Sequence, residues 1–277
     1  MLKVVEKDMP KSKRFTSEVL VISPEIAQAW LDQNTKNRKP SASVVAAYAR
    51  DMKTKRWKLT GDAIRFDAVG NLIDGQHRLM ACIAANNPFE SLVVYGLDPT
   101  TQEHIDTGKV RRLTDMLTLR GVNNTLALAA TIRVLFGQKY GDEKRQIKMT
   151  HAEGFALMEK HPQLHASVRT CMGAIGPSKS LLAYVHYVGA FKLDMKDRAD
   201  AFIEVFKTGK PDYAGDPAHK LRERMLRART ERNEIKRDEI IKAVFHVWNL
   251  FAKKKKVETL KWPKEAVIEG FDPAKQL

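Results

Sequence analysis

Cysteine is scarce in this chain, whose 277 residues include only Cys82 and Cys171. Both lie in apolar patterns typical of helices, so we expect no disulfide framework and a reducing compartment, the cytoplasm. Long apolar runs are missing as well. No uncharged stretch reaches the roughly 18 residues that a membrane-spanning helix needs, and no signal peptide is recognisable. We therefore expect no membrane partner.

Several familiar site motifs are also missing. The chain contains no Walker-type glycine-rich loop, no Gly-x-Ser-x-Gly elbow and no cysteine pair at zinc spacing. His161 and His165 are four residues apart, but Pro162 follows the first and no third ligand is near. The sequence therefore predicts no zinc site, no Walker-type phosphate loop and no nucleophile elbow.

Acidic residues are fewer than basic residues, and the difference is larger in the second part of the chain. Residues 1–110 contain 16 Lys and Arg against 13 Asp and Glu, whereas residues 111–277 contain 32 against 20. We predict a domain boundary near residue 110, between a first domain (1–110) and a basic second domain (111–277). The surplus in the second domain indicates either a polyanionic partner or a solvated basic surface.

The apolar patterns of the two parts differ in the same way. Strands are predicted at 19–22, 63–66, 71–73 and 92–95, alternating with helices. Beyond residue 111 only helices are predicted, at 112–120, 124–137, 151–160, 163–173, 179–191, 195–207, 217–232 and 236–252. The predicted fold class is α+β: a small mixed α/β domain followed by a basic all-helical domain. Tyr184, His186 and Tyr187 are predicted to belong to the core of that second domain.

The most informative segment is Asp-Gly-Gln-His-Arg-Leu, which begins at Asp74 and joins a predicted strand to a predicted helix. A helix start presents N–H groups and a positive dipole, which together suit a phosphate. Gly75 would bring the backbone close to it, Gln76 is a further candidate contact, and Arg78 would hold its oxygens. His77 is a candidate phosphate contact or acid–base, and Asp74 a candidate catalytic group or Mg²⁺ ligand. The alternative is an ordinary turn capped by Asp74, with a structural histidine.

Two further polar pairs belong to the first domain. Asn37 and Arg38 lie in a polar loop from which they would reach the same phosphates, unless the loop is simply solvated. Thr60 and Asp62 precede a predicted strand. Asp62 is a candidate catalytic base or second carboxylate, although turn capping is the commoner role for such a residue.

Three residues near the domain boundary complete the candidate phosphate site. Asp106, followed by Arg111 and Arg112, indicates a turn with a basic pair. This pair would either close over the phosphates or sit on a turn that links the domains.

These motifs resemble the ParB/sulfiredoxin fold, in which a short motif at the same strand–helix junction contacts the phosphates of a nucleotide. The resemblance covers residues 20–115 and is closest to phage and actinobacterial members. It also includes Tyr48 to Met52, Trp57 with Thr60 and Gly61, Ile105 to Gly108, and Trp248 with Asn249. Some members of the family hydrolyse CTP and clamp DNA, and others transfer phosphate, including an ADP-dependent serine kinase. Gln76 stands where sulfiredoxins have cysteine, so thiol repair is not expected, and the Gly-Glu-Arg-Arg run of chromosome-partitioning members is missing.

Basic residues are concentrated in residues 220–261, which contain 14 Lys and Arg against 6 Asp and Glu. Such a stretch suits backbone contact with nucleic acid, although a solvated face is the alternative. Nothing in it indicates a reader of base edges. The candidate contacts are Arg222, Arg224, Arg227 and Arg229 on one predicted helix, and Lys253, Lys254 and Lys255 at the end of the next.

The resemblance and the charge together lead to a functional expectation. We expect a nucleotide-binding, NTP-hydrolysing protein associated with DNA. Its ligand would be ATP, ADP or CTP, with Mg²⁺ as the cofactor. A homodimer is compatible with this expectation. One alternative is a phosphotransferase or DNA-modifying enzyme that uses the same phosphate pocket. Another is a non-catalytic regulator that binds nucleic acid.

Overall fold

The structure, a computed structural model, describes residues 15–32, 37, 39–105, 111–142 and 146–277. The fold class is α+β, as the sequence predicts, and the chain divides into two compact units, Met1–Val110 and Arg111–Leu277. The elements of the first unit are β1 (Thr16–Ile22), α1 (Pro24–Asp32), α2 (Ala42–Lys53), β2 (Ile64–Asp67), β3 (Leu72–Asp74), α3 (Gln76–Ala85), β4 (Phe89–Leu97) and a short 3-10 helix (Pro99–His104).

The four strands form one mixed sheet in the order β1-β4-β2-β3. β1 and β4 are antiparallel, β4 and β2 are parallel, and β2 and β3 are antiparallel. Among the described strands β3 pairs only with β2, so it lies at the edge of the sheet. In the β2–β3 ladder Arg65 lies opposite Asp74, which brings a guanidinium and a carboxylate together at the end of β3.

The core of the first unit is formed by apolar residues of the sheet and of the helices, with α3 packed against α1 and α2. Trp30 meets the ring of Phe66 edge-on, with centroids 5.1 Å apart, and Tyr95 stacks on Phe66 at 5.4 Å. Aromatic pairs in these geometries stabilise a core beyond the area they bury. The fully or nearly fully buried members include Ile22, Ile64, Leu72, Leu79, Cys82 and Val93.

The turn between β2 and β3 is organised by one carboxylate. Asp67 accepts hydrogen bonds from the N–H groups of Val69 and Asn71, at 3.0 and 2.8 Å, and from the Asn71 side chain at 2.8 Å. Burial raises the pKa of the Asp67 carboxyl, but these hydrogen bonds outweigh burial and hold the pKa below its usual range. The ionised side chain thus sets the geometry of the strand connection that precedes Asp74.

The described part of the second unit is entirely helical, apart from its turns. Its helices are α4 (Leu113–Leu119), α5 (Thr125–Lys139), α6 (His151–Lys160), α7 (Leu164–Thr170), α8 (Lys179–Phe191), α9 (Lys196–Thr208), α10 (Pro217–Thr230), α11 (Arg237–Ala252) and α12 (Pro273–Gln276). α8 is central: it packs against α5, α7, α9 and α11, and its residues 180–190 are all buried. Within the described ranges, no helix has the length and apolarity that crossing a bilayer requires.

Close packing of α8 against α11 depends on a glycine. A Cβ atom at Gly189 would lie 2.6 Å from the ring of Trp248, which is closer than real Cβ contacts allow. Trp248 is itself buried, and Phe202 contacts its ring edge-on with centroids 5.4 Å apart. The small residue on α8 therefore makes room for the largest side chain of α11.

A chain of hydrogen-bonded side chains runs through this core and joins three helices. His186 lies within hydrogen-bonding distance of Ser167 Oγ through Nδ1 and of Asp200 Oδ1 through Nε2, at 2.9 Å each. Lys196 donates to the other oxygen of Asp200 at 2.5 Å. The residue types are those of a hydrolase triad, but Ser167 is fully buried and cannot meet a substrate. The prediction that His186 belongs to the core is confirmed. Its hydrogen bonds link α7, α8 and α9.

A second buried histidine has one unsatisfied nitrogen. His161 Nδ1 lies 2.8 Å from the hydroxyl of Tyr187, and its Nε2 is buried without a partner among the described residues. Burial, together with the positive charge of Lys192, lowers the pKa of His161 to about 4. The folded unit therefore holds this imidazole neutral.

This histidine should make the second unit sensitive to mild acid. Between about pH 6.5 and pH 4 the unfolded chain binds a proton at position 161 and the folded chain does not, so stability falls as the pH falls through this window. Between about pH 7 and pH 5, we expect the unfolding free energy of His161→Gln to fall by on the order of 2 kcal/mol less than that of the unaltered chain. Urea unfolding followed by circular dichroism at about pH 7 and about pH 5 measures it.

The matched control is His104→Gln, which changes an exposed histidine of the first unit. The control should lose stability with acid as the unaltered chain does. An equal acid loss in His161→Gln and in the unaltered chain would contradict the prediction.

Candidate functional site

The turn from β3 into α3 requires a glycine for two separate reasons. Gly75 is the residue before the first turn of α3 and has a φ of +109°, a conformation that other residues rarely adopt. A Cβ atom there would also lie 2.9 Å from Ile64 Cγ1. The carbonyl of Gly75 accepts the N–H groups of Arg78 and Leu79, at 2.9 and 3.1 Å. The sequence predicts that the backbone at Gly75 approaches a phosphate closely. In the structure it approaches the core side chain of Ile64.

Arg78 points into its own unit. Its Nη2 donates to the carbonyl oxygen of Ala63 at 2.7 Å and to Asp74 Oδ2 at 3.2 Å, and its Nη1 donates to the carbonyl oxygen of Asp62. The side chain is 12% exposed, and burial lowers the pKa of the guanidinium more than the charge of Asp74 raises it. Two of these hydrogen bonds tether the segment before β2 to α3, and the third binds the end of β3, which leaves Arg78 a positioning role in this structure.

Asp74 has its charge balanced within the protein. Its Oδ2 accepts from Arg65 Nη1 at 2.5 Å as well as from Arg78. A Mg²⁺ ion at this carboxylate would sit beside two guanidinium groups, which oppose it electrostatically. The described residues also include no cluster of three His, Cys, Asp or Glu side chains that could hold a metal ion. The residues at this corner thus do not fit the Mg²⁺ site that the sequence suggested.

His77 connects the first turn of α3 to the first turn of α2. The backbone N–H of Ser41 donates to His77 Nε2 at 3.0 Å, so the ring is an acceptor at Nε2 and, when neutral, carries its proton at Nδ1. Ser41 directly precedes α2, just as Gly75 directly precedes α3. Within the described ranges, no side chain at either of these two positions caps its helix. Two positive helix ends therefore meet at one place.

The surface around this junction is polar and open. The hydroxyl oxygens of Ser41 and Ser43 are 3.1 Å apart, and both residues are exposed. Lys39, two residues before Ser41, is exposed as well. Gln76 is buried at the start of α3. Hydroxyl groups and a lysine thus lie next to two helix ends, a combination of groups that suits an anion.

Asn37 covers the outer edge of β3. Its Nδ2 donates to the carbonyl oxygen of Leu72 at 2.6 Å, and Gln102 Nε2 donates to Asn37 Oδ1 at 2.8 Å and to the carbonyl oxygen of Ile73 at 3.3 Å. These bonds satisfy main-chain oxygens that an edge strand leaves open. They also hold the segment leading to α2 beside β3. Gln102 is a positioning residue that no local sequence pattern indicated.

The remaining candidates of the first unit are dispersed. Thr60 Oγ1 donates to Asp62 Oδ2 at 2.9 Å, and both residues are exposed, in the local arrangement typical of a turn. Arg38 and Asp106 lie outside the residues that the structure describes.

Arg111 and Arg112 belong to the second unit. Both are exposed, and the N–H of Arg112 donates to Asp115 Oδ2 at 2.8 Å at the start of α4. This bond fixes the first turn of α4.

The arginines of α10 do not share one surface. Arg222 Nε donates to the carbonyl oxygen of Phe206 at 3.4 Å, and the Arg222 side chain is 13% exposed. Arg229 Nη2 donates to the carbonyl oxygen of Gly176 at 2.9 Å. Both guanidinium groups thus tether α10 to neighbouring segments of the second unit.

Arg224 is engaged on another side of α10. It donates from Nη1 to the carbonyl oxygen of Leu260 at 3.0 Å and lies over the ring of Trp262, 4.4 Å from the centroid. The adjacent candidate Arg227 is exposed. Of the four predicted arginines, Arg227 is thus the one whose side chain has no ion pair or hydrogen bond to a described residue.

Of the three candidate lysines after α11, one is paired with a carboxylate and two are not. Lys253 forms an ion pair with Glu269. Lys254 and Lys255 are exposed, and no carboxylate among the described residues pairs with either side chain. These two lysines therefore remain available to an external anion.

No protein-family model, curated protein or solved structure matches this chain. Proposals about its function therefore depend on the contacts described above and on the sequence resemblance.

The two constraints on Gly75 lead to a stability prediction. We expect Gly75→Ala to lower the unfolding free energy of the first unit by about 3 kcal/mol or more, because the new methyl group adds overlap with Ile64 to a strained φ. Gly70→Ala is the matched control. It also has a positive φ, +90°, but nothing lies within 4 Å of its Cβ position, so it should cost about 1 kcal/mol.

Denaturant unfolding of both variants measures the difference. Equal losses in the two variants would show that the contact with Ile64 contributes nothing.

Proposed function

We propose that the first unit binds a nucleotide through its phosphates, which sit where α2 and α3 begin. The observation that carries this proposal is the hydrogen bond from Ser41 N–H to His77 Nε2, because it brings two helix ends without side-chain caps to one place. The proposal concerns a phosphate-bearing ligand. It leaves the base of the nucleotide open.

The electrostatics of this junction suit a polyphosphate. Each helix end carries the equivalent of about half a positive charge, so two ends contribute about one unit before any side chain is counted. A phosphate oxygen would accept from backbone N–H groups that no side chain at the cap position serves. The exposed hydroxyl groups of Ser41 and Ser43 and the ammonium group of Lys39 would add further donors.

The resemblance to the ParB/sulfiredoxin fold supports the same location, since that family contacts phosphates at the corresponding junction. In this chain we assign His77 to the ligand contact and Arg78 to the positioning of the turn. Asp74 takes part in the tether and is not proposed as a metal ligand. For hydrolysis or phosphate transfer, Asp62 is the exposed carboxylate whose main-chain oxygen Arg78 binds, and a turnover assay decides its role.

A charge placed at the start of α2 should compete with the ligand. We expect Ser41→Asp to weaken binding of ATP, ADP, CTP or pyrophosphate by tenfold or more, which corresponds to about 1.4 kcal/mol. The same substitution should raise stability by about 0.3–1 kcal/mol, because a carboxylate interacts favourably with the positive end of α2. Isothermal titration and thermal unfolding measure the two effects.

Ser41→Asn is the matched variant, since it adds a cap without a charge and should weaken binding less. Unchanged nucleotide affinity in Ser41→Asp would overturn the proposed site. Release of inorganic phosphate, measured in the same samples with and without duplex DNA, separates a binding protein from a hydrolase. A phosphotransferase would instead require an added acceptor.

We also propose that the second unit contacts the backbone of a nucleic acid. The support is its surplus of basic residues together with the exposed, unpaired side chains of Arg227, Lys254 and Lys255. The three guanidinium groups that tether α10 are not part of this proposal. Backbone contacts of this kind carry no sequence information.

Salt dependence tests this contact. Replacing Arg227, Lys254 and Lys255 with alanine should reduce the slope of log affinity against log salt for duplex DNA by about 2–3. The matched control replaces Lys261, Lys264 and Lys275, which are also exposed and basic. Equal slopes for the two triple variants, measured by fluorescence anisotropy, would contradict the proposal.

A further inference from the structure

The first turn of α8 lies between two cavities of the second unit. On one side is a groove of about 540 Å³, whose lining includes Leu126, Ala130, Met172 and Lys179. On the other side is a cavity of about 400 Å³ between the starts of α8 and α11. Ser178 and Leu181 line the cavity, whereas Lys179 and Ser180 line the groove, so the start of α8 borders both.

The groove is apolar and open to water. Leu126 is 76% exposed and Met172 is 40% exposed, although both line a concave surface. Ile175, close to Met172 in the chain, is exposed too. Exposed apolar side chains that line a concavity mark a surface that another molecule covers.

The rim of this surface is basic. Lys179 is the single charged residue that lines the groove, and Lys236 and Arg237 line the neighbouring cavity together with Glu234. Among the described residues, none of these three cations has an ion pair. Burial lowers the pKa of Arg237, and the nearby positive charge of Arg133 lowers it as well.

We propose that this surface, formed by Leu126, Met172, Lys179, Lys236 and Arg237 and called here the α8 surface, binds an acidic amphipathic segment of a partner protein. Apolar side chains of the segment would enter the groove, and its carboxylates would face the three cations. An amphipathic helix seated in an apolar groove is a common mode of peptide recognition.

Charge decides between the possible occupants. A nucleic acid would match the cations, but its phosphates would leave the apolar groove unfilled. A second copy of this chain has a net charge of +15 and would meet a basic rim with like charge. An acidic amphipathic segment satisfies both the groove and the rim.

A synthetic peptide tests the proposal on the full chain. The probe is a fluorescein-labelled helix of about 16 residues with leucine on one face and glutamate elsewhere, and its control has the same composition in scrambled order. We expect binding with a dissociation constant on the order of 10 µM for the first peptide and at least tenfold weaker binding for the second. Fluorescence anisotropy measures both.

Substitutions locate the binding surface. Leu126→Glu and Met172→Glu should each weaken peptide binding tenfold or more, and Lys179→Glu should weaken it about threefold with a smaller salt dependence. Val267→Glu is the matched control, because Val267 is 70% exposed in the same unit but lines neither cavity. Thermal unfolding verifies that each variant remains folded.

Four results with the peptide would overturn the proposal. These are no measurable binding of the amphipathic peptide, equal binding of the scrambled peptide, equal loss of affinity in Val267→Glu, or displacement of the peptide by duplex DNA. Concentration-dependent dimerisation that Leu126→Glu abolishes would also overturn it, in favour of a second copy as the occupant.

Discussion

The guanidinium group of Arg78 holds together the corner on which the first unit depends. It joins two main-chain carbonyl groups before β2 to the carboxylate of Asp74, and Arg65 binds the same carboxylate across the ladder. The positive φ of Gly75 then turns the chain directly into α3. Because the turn is fixed on both sides, His77 lies where it can accept the N–H of Ser41 and bring the start of α2 against the start of α3.

The same chemistry recurs in the second unit. Arg133 donates to the carbonyl oxygen of Ile147, and Arg198 to that of Phe251, at 2.8 and 2.6 Å. A guanidinium group has five donors in a planar array, so it can serve main-chain oxygens and a carboxylate together, which lysine cannot do in the same geometry. Arginine in this chain is therefore often an internal tether. For this reason, the formal charge of +15 overstates the charge that faces a polyanion.

Periodicity was sufficient to predict most elements, and it was insufficient to predict side-chain direction. The predicted helix 179–191 has the observed bounds of α8, because Ser178 caps it and its apolar residues are continuous. β4 extends beyond the predicted 92–95 because pairing with β1 continues through its polar positions. By contrast, the hydrogen bond between Asn37 and Gln102 joins residues 65 apart, and no local pattern encodes it. A motif specifies residue types, whereas tertiary contacts decide which of them face solvent.

The junction of α2 and α3 shows why direction matters for function. With Nε2 as an acceptor, His77 satisfies one N–H at the start of α2 and locks the two helices together. A protonated imidazole has a donor at both nitrogens and must release that N–H. A phosphate placed between the helix ends would then receive the Ser41 N–H and the His77 N–H together. The contact that aligns the helices without ligand and the contact that would hold a phosphate thus use the same two atoms, so a bound phosphate would replace the hydrogen bond between Ser41 and His77.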